Sequence, residues 1–264
     1  MDLQLTDKHA LITGGSKGIG LACAKGFLAE GARVTLVSRD RATLEAARTG
    51  LLGQFPAARV HIVSADLKDA AAALAAVDDA EKALGPVDVL VNSAGAAKRT
   101  PPAELTPAHW RDAMDAKFFT YVNVTDPLVK RMAARGAGAI VNVIGMGGKV
   151  ATVTHMAGGS ANAALMLMSA GLAAAYGPQG VRVNAVNPTL TRTERMDEGL
   201  AADARLNNIT KEQALAKSSA RLPLGRLAEP GEIADAVLYL SSPCASYISG
   251  AIISMDGAAT PMVV

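Results

Sequence analysis

The chain has 264 residues, of which 50% are apolar, 19% charged and 3% aromatic, and its formal net charge is +2. Lys and Arg are scattered along it, so it carries no electrostatic footprint for nucleic acid or a membrane surface. Cys23 and Cys244 lie far apart and match no metal-ligand or disulfide spacing.

The start of the chain lacks the apolar core of a signal peptide, and no uncharged apolar run reaches the ~18 residues of a membrane span. The expectation is therefore a soluble, cytoplasmic protein whose core is built from Ala, Val, Leu and Ile.

Taken in order, short β-rich runs alternate with longer helical patterns. The runs are HALITG (9–14), RVTLVS (33–38), RVHIVSAD (59–66), DVLVNSA (88–94), AIVNVIG (139–145), VRVNAVNP (181–188) and AIISMDG (251–257). Near-continuous Val, Ile and Leu mark strands buried on both faces. Ala-rich amphipathic segments separate them, among them RATLEAARTGLLGQF (41–55) and DAAAALAAVDDAEKAL (69–84). This alternation predicts right-handed βαβ units and a doubly wound parallel sheet, an α/β Rossmann fold in a single domain over residues 1–264. After the sixth run, residues 189–225 form a charged, helical insertion at a strand's C-terminal end. Ligands bind along that edge in open α/β sheets, so the insertion is expected to be a lid.

Gly14, Gly18 and Gly20 fall between the first strand and the first helix. That context asks for glycine: for the tight turn, for approach to a pyrophosphate, and for close helix–strand packing. The next helix then directs its first amides at the phosphates. The second strand ends in Ser38 and Arg39, and Lys17 sits in the glycine loop. Two cations suit a 2′-phosphate and favour NADP(H). Asp40 follows and offers the alternative, a carboxylate for a ribose hydroxyl.

These residues resemble the short-chain dehydrogenase/reductase family over almost the whole chain. The family's T-G-x-x-x-G-x-G stands as Thr13 to Gly20, its N-N-A-G as Asn92 to Gly95 with Ser93 in second place, and its sixth strand ends at Pro188, followed here by Thr189. The resemblance implies a cofactor site of Thr13, Gly14, Ser16, Lys17, Gly18, Ile19 and Gly20 in the loop and Ser38 and Arg39 after the second strand. It adds Asp66 and Leu67 after the third, Asn92, Ala94 and Gly95 after the fourth, and Asn162, Pro188 and Thr193 beyond.

The family's reaction uses a tyrosine, a lysine four residues later, a serine and an asparagine. Carried over by position, these sites hold Gly158, Asn162, Gly145 and Lys117. The four tyrosines are Tyr121, Tyr176, Tyr239 and Tyr247, so no shift of register restores the missing one.

Three substitutes are open. His155 lies three residues before the tyrosine site, and an ordinary imidazole titrates near ~6.5. Lys117 and Tyr121 share a helical face four residues apart. Lys149 is the third. Met146, Met156 and Met166 can line an adaptable apolar wall. Two functions remain: an NADP(H)-dependent oxidoreductase acting on a small carbonyl, activated C=C or C=N substrate, or a catalytically inactive NADP(H)-binding sensor or partner subunit. The resemblance and the Ala-rich helices at 107–133 and 158–177 imply a homotetramer or homodimer.

Overall fold

The computed structural model describes residues 1–95, 97–220 and 222–261, apart from the side chains at 195, 197, 198 and 202. Seven parallel strands form one sheet in the order β3-β2-β1-β4-β5-β6-β7. They are β1 (His9–Thr13), β2 (Arg33–Ser38), β3 (Val60–Ser64), β4 (Val89–Asn92), β5 (Gly138–Val143), β6 (Val181–Pro188) and β7 (Ile252–Met255). Each falls on one of the runs predicted from sequence. Strand order reverses between β1 and β4, whose register pairs Thr13 with Asn92. That switch point opens a crevice at the C-terminal edge of the sheet.

Nine α-helices are described: α1 (Gly18–Ala29), α2 (Arg41–Gln54), α3 (Ala70–Leu84), α4 (Pro107–Ala113), α5 (Thr120–Arg135), α6 (Met156–Tyr176), α7 (Glu194–Asn207), α8 (Lys211–Ser219) and α9 (Pro230–Ser241). Several starts are legible. Asp40 accepts from Thr43 N to cap α2, and Asp69 accepts from Ala71 N and Ala72 N to cap α3.

Alternation along the strands divides the core in two. Ala10, Ile12, Val89, Val91, Ala139 and Val141 pack on the layer of α1, α2 and α9. Leu11, Leu90 and Ile140 point the other way, into the layer of α3 and α5. Successive side chains leave opposite faces, and both faces are covered, which is why the strands read as continuous apolar runs.

Two features depart from the sequence reading. Val153–Gln179, containing α6, is long and apolar enough to pass for a membrane span, with 39% of its 18-residue apolar window buried inside the fold. Its inner face packs on the sheet, and its polar residues were what hid it. The predicted helix over 107–133 is broken: six residues, Met114–Phe119, form a π-turn between α4 and α5. Lys117 lies in that turn, and such irregularities are frequent at functional sites.

Candidate active site

The crevice is built first by glycine. Gly14 has φ +66°, and a Cβ there would lie 2.8 Å from Ser93 O. The Thr13 hydroxyl accepts hydrogen bonds from Ser93 N and Ala94 N, both 3.1 Å, which ties the end of β1 to the loop after β4. A methyl on Gly20 would collide with Gly14 O, so only glycine lets α1 start this close to the strand. The N-terminus of α1 has no side-chain cap and no acidic residue in its first turn. Its amides and positive dipole end are therefore left for an anionic group.

Beside it, Ser16 Oγ donates to Ser38 Oγ at 3.2 Å, and the Arg39 side chain is exposed. Asp40, the alternative ribose acceptor, uses one carboxylate oxygen locally. Its carboxylate caps α2, accepting from Thr43 N at 2.7 Å, and that bond holds its pKa below the usual value. Lys17 Nζ, expected to work with Arg39, pairs with Glu194 Oε2 at 3.3 Å, both exposed. Asp66 accepts from Lys68 N at 3.1 Å, and Leu67 is buried while its carbonyl accepts from Asn123.

Deeper in the crevice, Asn92 donates to Thr125 Oγ1 and Asn142 Oδ1, each 2.9 Å, and Asn142 donates on to Ser169 Oγ. This buried chain fixes β4, β5 and α6 together. Pro188 is buried at the end of β6, Thr193 opens α7, and the Thr193 side chain lies 3.4 Å from where a Cβ on Gly18 would stand. A methyl on Gly95 would strike Ala116 O, so the loop after β4 lies directly on the π-turn.

The three candidate groups end in different places. Lys117 is buried, its Nζ donating to Tyr121 Oη at 2.9 Å and Val143 O at 3.2 Å and lying 4.7 Å from the Tyr121 ring centroid. Tyr121 is fully buried and its hydroxyl donates to Val143 O at 2.5 Å. Lys149 turns away to β7, where Nζ donates to Ile252 O and Ser254 Oγ. His155 closes a short turn just before α6, and its ring fills the space over Gly158. A Cβ built on Gly158 would meet Cε1 of that ring and lie 2.7 Å from Nε2 and 2.7 Å from Ala97 Cβ. Met166 receives a bond from Asn187 Nδ2 at 3.4 Å and, partly buried, packs against Tyr121, Ile144 and Leu165.

A family model described as enoyl-(acyl carrier protein) reductase matches residues 14–260. The chain belongs to the short-chain dehydrogenase/reductase family. Galactitol 2-dehydrogenase (L-tagatose-forming) of Cereibacter sphaeroides is 38% identical over 253 residues, 95% of this chain and 94% of the relative. The structure of L-sorbose reductase from Gluconobacter frateurii, complexed with NADPH and L-sorbose, superposes with a TM-score of 0.92 at 30% identity, covering 100% of both chains. An NADPH-bound short-chain oxidoreductase from Pseudomonas aeruginosa PAO1, described as containing an atypical catalytic center, gives 0.88 at 31% identity, covering 98% of this chain and 100% of the other.

In this short-chain dehydrogenase/reductase the insertion after β6 is the helical pair α7 and α8, packed through Leu200, Ala204 and Ala214. Residue 221, inside the expected lid, lies outside the described residues. Arg99 bridges the pair to the site: Nη1 is 3.4 Å from Thr154 Oγ1 and 4.0 Å from Asp203 Oδ1. Sequence reasoning missed this cluster, because no spacing rule links residues 99, 154 and 203.

Proposed function

We propose that this chain is an NADP(H)-dependent oxidoreductase that reduces a small carbonyl compound, with His155 delivering the proton. Activated C=C and C=N compounds belong to the same range of substrates, and the sugar and polyol chemistry of the relatives favours a polyhydroxylated ketone. The observation that carries the reading is the imidazole of His155, which stands in the room a side chain at position 158 would take. An acid placed there serves the substrate oxygen as the family's tyrosine hydroxyl does. Lys117, Gly145, Gly158 and Asn162 then form an altered reaction centre. A relative described as containing an atypical catalytic center supports that over a lost one.

The fit for the cofactor rests on the uncapped start of α1, the Ser16–Ser38 pair and the exposed Arg39 at that edge. When bound, NADPH supplies a hydride and NADP+ accepts one. Thr13, Gly14, Gly18 and Gly20 shape the pyrophosphate cradle, Ser38 and Arg39 meet the 2′-phosphate, and Asp66 and Leu67 border the adenine. Lys117 and Tyr121 act through Val143, whose carbonyl they both hold. Tyr121 is a positioning residue, since its fully buried hydroxyl cannot touch substrate. The α7–α8 pair acts as the lid, and the chain works as a homotetramer or homodimer.

The test is turnover with NADPH against a panel of ketones, enones and imines that includes L-sorbose and L-tagatose. His155→Ala is expected to lower kcat on the best substrate by at least about tenfold while NADPH affinity stays unchanged. An unaffected His155→Ala enzyme removes His155 from the reaction. If nothing in the panel turns over while NADPH still binds, the chain is the inactive cofactor-binding protein instead.

A further inference from the structure

Asn162 differs from the other buried asparagines. Asn92 bonds Thr125 and Asn142, Asn142 bonds Ser169, Asn184 bonds Ile248 O and Ala251 N, and Asn187 bonds Gly145 N and Met166 Sδ. Asn162 is 5% exposed, yet its carboxamide makes no hydrogen bond among the described residues. A carboxamide brings two N–H donors and an acceptor, and the Asn162 pair is not among the fully buried unpartnered polar atoms, so it opens onto the crevice. A ligand entering the crevice can therefore take up that bond.

The direction of the amide says which ligand atom. Asn162 Nδ2 is 3.4 Å from where a Cβ on Gly145 would stand. Pro188 O, at 3.7 Å, is the other heavy atom within 4 Å of that point among the described residues. Gly145 therefore leaves a gap bordered on one side by an amide donor. A Cβ on the neighbouring Gly147 would lie 3.6 Å from the same Nδ2 and 3.5 Å from His155 Nε2. The amide and the imidazole thus converge on one small volume, from α6 and from the turn that precedes it.

We propose that Asn162 Nδ2–H is the hydrogen-bond donor that holds the substrate's carbonyl oxygen, in the room beside Gly147, while His155 Nε2 faces that oxygen from the other side. The assignment rests on the NADP(H)-dependent carbonyl reduction proposed above. As the substrate is reduced, the supplied hydride forms the new C–H bond and the C=O π pair moves onto oxygen. The Nε2–H bond of the imidazolium breaks as its proton bonds to that oxygen, leaving neutral imidazole and an alcohol. The Asn162 N–H bond stays intact throughout. A carboxamide suits this division of labour, because it stabilises developing negative charge without competing to give up a proton. One pre-placed donor of this kind is worth about 10²–10³ in kcat.

The experiment uses the full chain labelled with 15N at asparagine and glycine, with the Asn162 side-chain signal assigned through Asn162→Asp. NADP+ is added first, then L-sorbose as the probe. NADP+ is expected to move the amide signals of Gly14 and Gly18, and L-sorbose then to move the Asn162 NH2 pair. Asn162→Asp, similar in shape but without the donor, is expected to lose at least about tenfold in kcat with NADPH affinity kept within about threefold.

An Asn162 signal that answers NADP+ and ignores L-sorbose overturns the assignment in favour of a ribose contact, as does an Asn162→Asp enzyme that loses NADPH affinity but keeps kcat. A silent Asn162 signal beside shifted Gly14 and Gly18 overturns the assignment alone. Unmoved Gly14 and Gly18 overturn the NADP(H) reading and this assignment with it. Should Asn162→Asp fail to fold, the wild-type spectra decide.

Discussion

One methyl group at Gly158 separates the imidazole's chemistry from its packing. An alanine Cβ there would stand 2.7 Å from His155 Nε2 and 2.7 Å from Ala97 Cβ. Ordinary carbon contacts lie near ~3.5–4.0 Å, so the ring must retreat by about 1 Å. Overpacking of this size costs about 1–3 kcal/mol. Replacing glycine by alanine inside α6 returns about 1 kcal/mol of helix propensity. The net loss is ~0–2 kcal/mol, a fall in Tm of a few degrees for a domain this long.

Activity is expected to suffer far more, because a misplacement of about 1 Å costs on the order of 10²-fold. Gly158→Ala should therefore lower kcat about a hundredfold on the best ketone of the panel, with NADPH affinity by calorimetric titration unchanged. A variant of near wild-type kcat with a lowered Tm would refute the reasoning, since the ring would have moved without consequence. Loss of NADPH affinity in parallel with kcat would place the damage in the cofactor site. Gly158→Tyr with Asn162→Lys is not expected to restore carbonyl activity. The ring and Ala97 already occupy that space, and Gly145 still lacks a hydroxyl.

Three further outcomes follow from particular residues. NADPH is expected to bind at least about tenfold tighter than NADH, or ~1.4 kcal/mol, and Arg39→Asp to reverse the ratio; equal affinities in calorimetric titration would count against Arg39 as the 2′-phosphate contact. His9 is buried between Gly85 O (2.7 Å) and Thr35 Oγ1 (2.9 Å), and burial pushes its pKa below the usual imidazole value. The unfolded chain then binds the extra proton, so stability is full above pH ~6.5 and falls as pH drops through the folded-state pKa; urea midpoints measured from pH 8 to 5 should show this, and His9→Gln should flatten it. Leu167 is 77% exposed on α6, and light scattering is expected to give a multiple of 27.0 kDa that Leu167→Glu reduces; a wild-type monomer at micromolar concentration would exclude the oligomer.

Much of this protein is written locally. The seven strands were readable because parallel strands covered on both faces must be apolar at every position, as Ala10, Leu11 and Ile12 show by feeding opposite layers. The glycine loop was readable because Gly14 and Gly20 answer steric demands set within a few residues. The absence of a tyrosine near position 158 was likewise a plain fact of the sequence.

The reaction centre was not readable in the same way. That Asp40 Oδ1 caps α2 depends on the first turn of that helix, where it accepts from Thr43 N. That Lys17 pairs with Glu194 depends on α7, 177 residues away in sequence. Sequence could place His155 three residues before a glycine. Only the turn at Val153–His155, folding the ring back over the start of α6, could show that the glycine is where the imidazole sits. Spacing along the chain fixes what a backbone can do locally, whereas which side chains share a few ångströms of space is set by elements packing together from distant parts of it.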